Sequence, residues 1–548
     1  VSEKDNLSPL LLNNIETATK IILKHISNDK AKIYVQTDAD CDGMLSSALL
    51  LNYLYKQFPS SIDKFYYDFH EGKTHGIELQ SIQEGTTLVI VPDASSNEYS
   101  THQELKEKGI DVVVLDHHLA ERVSEYACVV NNQLCDYPTK SLCGTGIVYK
   151  LCQYIDSICG SQYAEDYIDI VGLAEVGDMM SLTDFETRYL VQTGLQRANL
   201  RNPFIVSMAE KNSYQLGTGD LTPIGVAFYI VPLVNAITRV GTQEEKRLVF
   251  DSMLEWKAYK MVPSTKRGHK GEEEALVEQA VRACTNVKNR QTKFQEAGVQ
   301  EVEKLIQERE LLNHKLLLIQ VEPGEIEPSI RGLICNKLMG EYKRPVAILT
   351  RGQLNGESVW AGSARGYDKS QLKDFRKFCL NSPFDVLGQG HSNAFGLTIK
   401  DQDFKNFIEW SDEELKNIEF SPSYMVDFIY PAKGVNPKDI LELGDAENLW
   451  GQDIDEPLVA IENLPITKDM LTLMSRDKKP TLKIQLLNGV ACIKFKSGEE
   501  EFDNLYSENG CVNINLVGKP KTNRYLNSIT PQIIVQDYEI INKQDYYF

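Results

Sequence analysis

No two cysteines stand close enough to make a CxxC pair, although 11 are spread along the 548 residues. That excludes a zinc ribbon and a disulfide framework, and points to buried thiols in a reducing cytosol. Positive charge is also short: 58 Lys and Arg against 78 Asp and Glu leave a net charge of -20. A surface coated in cations for non-specific nucleic-acid binding is excluded. A narrow basic path on an acidic body stays compatible with that balance. Long apolar runs are missing; none reads as the ~18 residues of a membrane span. Val1-Ser2-Glu3-Lys4-Asp5 does not begin a basic-then-apolar leader. No membrane partner is expected, and the expected location is the cytoplasm. Internal repeats and low-complexity segments are absent.

What is present in the first two hundred residues is alternation. Ile33-Tyr34-Val35, Leu88-Val89-Ile90-Val91 and Val112-Val113-Val114-Leu115 are too short for helices and rich in β-branched residues. Such runs are strands buried on both faces of a parallel sheet. Helical patterns such as Met44 to Tyr55 lie between them, so the expected class is α/β with a doubly wound parallel sheet. A charged helical pattern over 271–312 reads as a linker that Gly298 interrupts. A second, smaller α/β segment follows over 313–400, then a connecting segment over 401–455. Short strands with Gly and Asn turns over 456–548 predict a small β-barrel.

Each buried strand runs into acid. The first leads to Asp38-Ala39-Asp40-Cys41-Asp42-Gly43, the second to Asp93, the third to Asp116-His117-His118. Ligands of open parallel sheets bind beyond the carboxyl ends of the strands, so these groups should share one crevice. Clustered carboxylates stay ionised together only if cations offset them. Oxygen donors with one or two imidazoles suit Mn²⁺ or Mg²⁺. A calcium loop is a poor fit, because the twelfth residue from Asp38 is Leu49 rather than a bidentate Glu. Singly, an Asp after a strand is commonly a turn or cap residue; three such endings in one sheet outweigh that reading.

Asp116-His117-His118 after a buried strand resembles the motif that names the DHH phosphoesterases. Asp38-x-Asp40-x-Asp42-Gly43 resembles the first motif in its RecJ form, Asp93 matches the second, and Gly172 to Leu182, with Asp178, is similar to the fourth. Pro232 to Arg239 also looks RecJ-like. Arg331-Gly332, Gly362-Ser363-Ala364-Arg365 and Gly390-His391 resemble the DHH-associated domain. Gly518-Lys519-Pro520, Asn523, Pro531-Gln532 and Asp537 resemble the OB-fold of RecJ nucleases. Three positions depart from the pattern. Gln389 stands where a second glycine is usual, Asp93 is followed by Ala94-Ser95-Ser96, and His70 in His70-Glu71-Gly72-Lys73-Thr74-His75-Gly76 stands near the place of an Arg.

The resemblance implies a DHH catalytic domain over 1–270, the DHH-associated domain over 313–400 and the OB-fold over 456–548. It implies a 5′→3′ exonuclease that takes single-stranded DNA to mononucleotides in recombination and repair. Two ions, Mn²⁺ or Mg²⁺, would sit among Asp38, Asp40, Asp42, Asp93, His117 and Asp178, with Asp93 bridging. Asp116 would orient a histidine, and His118 would face the phosphate. His70, Arg239, Ser363, Arg365 and His391 would contact substrate phosphates, and Lys483, Lys494, Lys519, Arg524 and Tyr525 the bases and backbone of a single strand. The implied partner is single-stranded DNA bound by a monomer, with a helicase and a single-strand-binding protein as candidate assistants. Two further functions suit the same motifs: a phosphodiesterase for short oligonucleotides or cyclic dinucleotides, and a catalytically inactive single-strand-binding scaffold.

Overall fold

In the computed structural model, residues 1–70, 75–475, 479–525 and 528–545 are described, without the side chains of Tyr525, Gln544 and Asp545. The first sheet comprises β1 (Ile33–Thr37), β2 (Phe65–Phe69), β3 (Leu88–Pro92), β4 (Asp111–Asp116) and β5 (Cys128–Asn131). All pairings are parallel, in the order β2-β1-β3-β4-β5. Every residue of β1 and β3 is buried, because helices cover both faces; this explains the uninterrupted apolar runs. The chain leaves β1 towards β2 on one side and returns to β3 on the other. The strand order therefore reverses between β1 and β3, the place where such sheets open a crevice.

The short β6 (Met261–Pro263) and β7 (Glu273–Ala275) form a hairpin before the linker helix, Leu276–Glu308. Contrary to the expected interruption, that helix is continuous through Gly298. A Cβ at Gly298 would lie 2.6 Å from Cδ1 of Ile334, so the glycine permits close packing rather than a break.

The second sheet contains β8 (Leu317–Val321), β9 (Val346–Leu354), β10 (Glu357–Arg365), β11 (Val386–His391) and β12 (Ala394–Lys400), ordered β11-β12-β10-β9-β8. One face packs Ile319, Val346 and Ile348 against Ile330 and Ile334 of the Pro328–Tyr342 helix and Val302 of the linker helix. The other packs Ala364, Phe395 and Leu397 against Phe375, Phe404 and Phe407.

The third sheet contains β13 (Phe428–Pro431), β14 (Val459–Ile466), β15 (Leu471–Met474), β16 (Thr481–Gln485), β17 (Ala491–Phe495), β18 (Gly510–Tyr525) and β19 (Ser528–Asp545). The expected small barrel takes the form of a mixed seven-stranded sheet, β13-β14-β18-β19-β17-β16-β15. Its long β18–β19 hairpin is broken by register shifts at Asn513/Ile514 and Val517/Gly518, the irregularities that let long strands bend.

Contacts divide the chain into two compact units: 1–180 with 189–219 and 226–423, and 181–188 with 220–225 and 424–548. The stretch expected to connect domains is thus shared out. Phe404, Phe407 and Leu415 belong to the core of the second sheet, while Tyr430, Val435 and Ile440 belong to that of the third. One stretch, Pro223–Val240, is long and apolar enough to cross a membrane by length and composition, which corrects the reading that no such run exists. Within it Val234, Ala236 and Ile237 are fully buried in the protein.

Candidate active site

The carboxyl ends of β1, β3 and β4 deliver the acids to one place. Asp38 follows β1. Asp40 caps the Cys41–Gln57 helix, accepting the N–H of Gly43 at 3.0 Å. A Cβ at Gly43 would lie 2.6 Å from Cβ of Asp38, so only glycine lets the turn close. Asp42 receives the N–H groups of Gly144 and Thr145 at 2.6 and 3.0 Å, from the start of the Gly144–Cys159 helix, where unpaired N–H groups favour an anion. Asp93 holds a left-handed backbone, φ 65°, a conformation that costs a non-glycine residue energy and marks functional positions. Gly144 packs on it; a Cβ there would lie 2.6 Å from Cβ and Oδ1 of Asp93. Asp178 ends the Ile168–Gly177 helix.

Three donor sets result: Asp38, Asp40 and Asp93; Asp93, His117 and His118; and Asp42, His117 and Asp178, each with ligand atoms within 4.8 Å of one another. They are linked through Asp93 and His117, whose Nε2 lies 3.2 Å from Oδ1 of Asp93 and 3.2 Å from Oδ2 of Asp178. Burial and the neighbouring carboxylates push the carboxyls of Asp40 and Asp93 above the usual range. Burial, then Asp42 and Asp40, push Asp178 up to about 8. Burial lowers His117, favouring the neutral imidazole a cation needs. Oδ1 of Asp38, both oxygens of Asp93 and Nε2 of His117 are buried without a hydrogen-bond partner. Buried polar atoms are rarely left so. A set of unpaired oxygens with one neutral imidazole nitrogen fits divalent cations.

Asp116 is occupied differently. It accepts the backbone N–H groups of His117 and Ser96 and Nδ1 of His118, the last at 2.8 Å. Burial opposes its ionisation, but the His118 bond overcomes it and holds the carboxyl well below the usual range. The same bond raises His118 to about 9. His118 is therefore a half-exposed, oriented imidazolium beside the metal donors.

The charge of Asp40 acts on Arg239, and that of Arg239 on Arg365 and Lys288. Ser363 stands two residues before Arg365 on β10, and His391 ends β11, exposed. His70 is placed elsewhere than expected. It is buried, with Nδ1 3.0 Å from Glu78 and Nε2 3.6 Å from Asp38. Its carbonyl is held by Lys246 at 2.6 Å. Both ring nitrogens face carboxylates. His75, with Nδ1 2.6 Å from Asp38, also faces a carboxylate and was not singled out in the sequence. Neither were Lys288 and Gln291 of the linker helix, bonded to each other at 2.8 Å, with Nε2 of Gln291 buried and unpaired. Only their spacing of three, one turn of a helix already recognised, could have signalled them. Residues 71–74 lie outside the described part.

The cations of the third sheet are mostly committed. Lys494 pairs with Glu501, Lys519 with Glu456 and Arg524 with Asp445, each at 2.6 Å. Lys494, Lys519 and Arg524, expected to contact a single strand, are thus ion-paired side chains. Lys483 has no ion pair among the described residues, and the side chain of Tyr525 lies outside them.

Carboxylates, a neutral histidine and an imidazolium gathered at the switch point of a parallel sheet define a divalent-metal hydrolase centre. The model of the DHH family, N-terminal domain, matches residues 32–174. The putative SPbeta prophage-derived single-strand DNA-specific exonuclease YorK of Bacillus subtilis (strain 168) is 36% identical over 533 residues, 97% of this chain and 91% of that protein. Among solved structures, RecJ of Thermus thermophilus in complex with Mn²⁺ aligns over 98% of this chain and 73% of its own, with a TM-score of 0.70 and 18% identity. The same protein in complex with Mg²⁺ aligns over 99% and 73%, with a TM-score of 0.64 and 17% identity. This chain belongs to the DHH family, in its branch of RecJ-like single-strand-DNA-specific exonucleases.

Proposed function

We propose that the chain hydrolyses single-stranded DNA from the 5′ end to mononucleotides, in the cytoplasm, as a monomer serving recombination and repair. The observation that carries this reading is the series of donor sets linked through Asp93 and His117, with four buried atoms lacking hydrogen-bond partners. Asp38, Asp40 and Asp93 would hold one Mn²⁺ or Mg²⁺, and Asp42, His117 and Asp178 the other, with Asp93 shared. Ions held there would supply a water of lowered pKa and charge stabilisation for the leaving oxygen. His118, kept cationic by Asp116, donates to the phosphate as charge develops. Arg239 and Arg365 supply planar forks for phosphate oxygens, Ser363 and His391 single donors. His70 and His75 steady Asp38. The likeness to YorK extends across almost the whole chain, which favours a polymer substrate; the 5′→3′ direction rests on the family resemblance.

The test is a time course on end-labelled single-stranded DNA with Mn²⁺, Mg²⁺ or chelator. Label should leave a 5′-labelled strand first as mononucleotide, and only with metal. Asp93→Ala should abolish turnover while the protein stays folded, because the shared donor is lost. Faster cleavage of dinucleotides than of long strands would favour the short-oligonucleotide phosphodiesterase, and release from the 3′ end would overturn the polarity. A helicase and a single-strand-binding protein are the assistants to add to the same assay.

A further inference from the structure

The second sheet carries an open slot beside Arg365. Directly paired residues of antiparallel strands point to the same face. Arg365 pairs with Ala394, which pairs with His391; Ser363 pairs with Gly396, which pairs with Gln389. One face therefore shows two rows, Arg365–Ala394–His391 and Ser363–Gly396–Gln389. Ala364 and Phe395, alternating with them, are buried in the aromatic core of the other face, which settles which face is open. The Pro328–Tyr342 helix covers the β8–β9 half of the open face through Ile330 and Ile334. At Gly332 a Cβ would lie 2.5 Å from Nη2 of Arg365, and Nη1 of Arg365 donates to the carbonyl of Ala364 at 2.7 Å. Beyond it β12 contributes only the methyl of Ala394 and the bare backbone of Gly396. The slot has that floor and two walls two strand spacings apart, roughly 10 Å. Ser363 and Arg365 form one wall; Gln389 and His391, both exposed, form the other.

Gln389 stands where the resemblance to the family leads one to expect a glycine, and its side chain is exposed. His70, expected to serve the 5′ end, is buried against Asp38 and Glu78 and leaves that task open. We infer that Gln389 is a specificity residue for the 5′ end: its carboxamide donates an N–H across the slot to a terminal phosphate held by Arg365 and Ser363. The inference rests on the exonuclease reading above. A terminal phosphomonoester offers three acceptor oxygens. With Nη1 of Arg365 donating to the Ala364 carbonyl, the guanidinium and the Ser363 hydroxyl together engage two of them, which leaves one for a donor on the facing wall. An internal diester has no third free oxygen, so the second wall distinguishes an end from the interior of a strand.

The test compares binding of a 5′-phosphorylated oligothymidylate and its 5′-hydroxyl twin, in Mn²⁺, to the Asp93→Ala chain with and without a change at Gln389. The chain with Gln389 should prefer the phosphorylated strand. Gln389→Gly, which restores the family residue, and Gln389→Ala, which keeps a side chain in the strand, should each lower that preference roughly tenfold, the scale of one hydrogen bond to a charged group. Gln389→Glu should lower it further, by facing phosphate with an acceptor and a like charge. Thermal melting checks that each variant is folded. A preference that survives both Gln389→Gly and Gln389→Ala, or one absent from the parent, overturns the inference. Metal-dependent release of 5′-terminal mononucleotide by the unsubstituted chain is scored separately; its failure removes the exonuclease reading, whereas an unaltered binding ratio removes only the role of Gln389.

Discussion

Replacing Asp178 by Asn should make the metal-free protein more stable, and the gain should grow with pH. Asp178 ends the Ile168–Gly177 helix with its side chain 28% exposed and Oδ2 3.2 Å from Nε2 of His117. Burial, then Asp42 and Asp40, raise its carboxyl from 3.8 to about 8. The folded state therefore holds this proton more tightly than the unfolded chain. The resulting destabilisation is absent below the unfolded value, near pH 4, and builds as pH rises to about 8. At ~1.36 kcal/mol per pH unit the ceiling is about 6 kcal/mol. Solvent at the exposed quarter of the side chain, and a titration shared with a neighbouring group, bring the expected gain to about 2–4 kcal/mol. Asn keeps the shape and removes the charge. In EDTA at pH 8, Asp178→Asn should melt above the parent, with the difference shrinking towards pH 5. Saturating Mn²⁺ should reverse the order, because the parent gains binding free energy that the variant, short of one ligand, does not. The assay is a melting curve at each pH with EDTA or Mn²⁺. A variant less stable than the parent in EDTA at pH 8 would refute the reasoning, since it would mean that these carboxylates do not strain the metal-free fold.

Gly144→Ala should cut metal-dependent turnover at least roughly tenfold and cost about 1–3 kcal/mol in urea unfolding, because its Cβ would lie 2.6 Å from Oδ1 of Asp93. Buried His102, bonded to Ser95 and Ser124, is lowered by burial from 6.5 to about 4. It stays neutral when folded, so its stabilisation is full above pH 6.5 and fades as pH falls towards 4, by up to about 3 kcal/mol; His102→Gln should flatten that slope in urea titrations at pH 7 and 4.5. A chain ended after Ser423 should elute more cleanly in size-exclusion chromatography than one ended at 455. The longer piece keeps Tyr430, Val435 and Ile440 but loses Val459, Ile461 and Ile514, against which they pack; equal behaviour would show that the core does not depend on that joining.

The sequence by itself determined the three central strands of the first sheet and the nature of their site. β1, β3 and β4 are legible because burial on both faces demands unbroken β-branched runs, a strictly local pattern. Acids immediately after three such runs must converge once the strands lie parallel, so Asp38, Asp93, His117 and His118 could be read without coordinates. The linker helix was legible for the same reason, its periodicity being local, although the role of Gly298 was not. Tertiary structure decided everything that depends on partners distant in the chain. Asp42 is anchored by Gly144, 102 residues away. The lysines of the third sheet resemble a DNA-binding surface in the sequence, and only folding brings Glu501 and Glu456 against them. His70 is a plausible phosphate ligand until burial places its ring between Asp38 and Glu78. Gln389 is a bare departure from a motif until the register of three strands sets it opposite Ser363 across Gly396. Periodicity encodes which face a residue takes within its own element. The neighbour that meets that face, and so whether a charge is free or neutralised, follows from long-range packing.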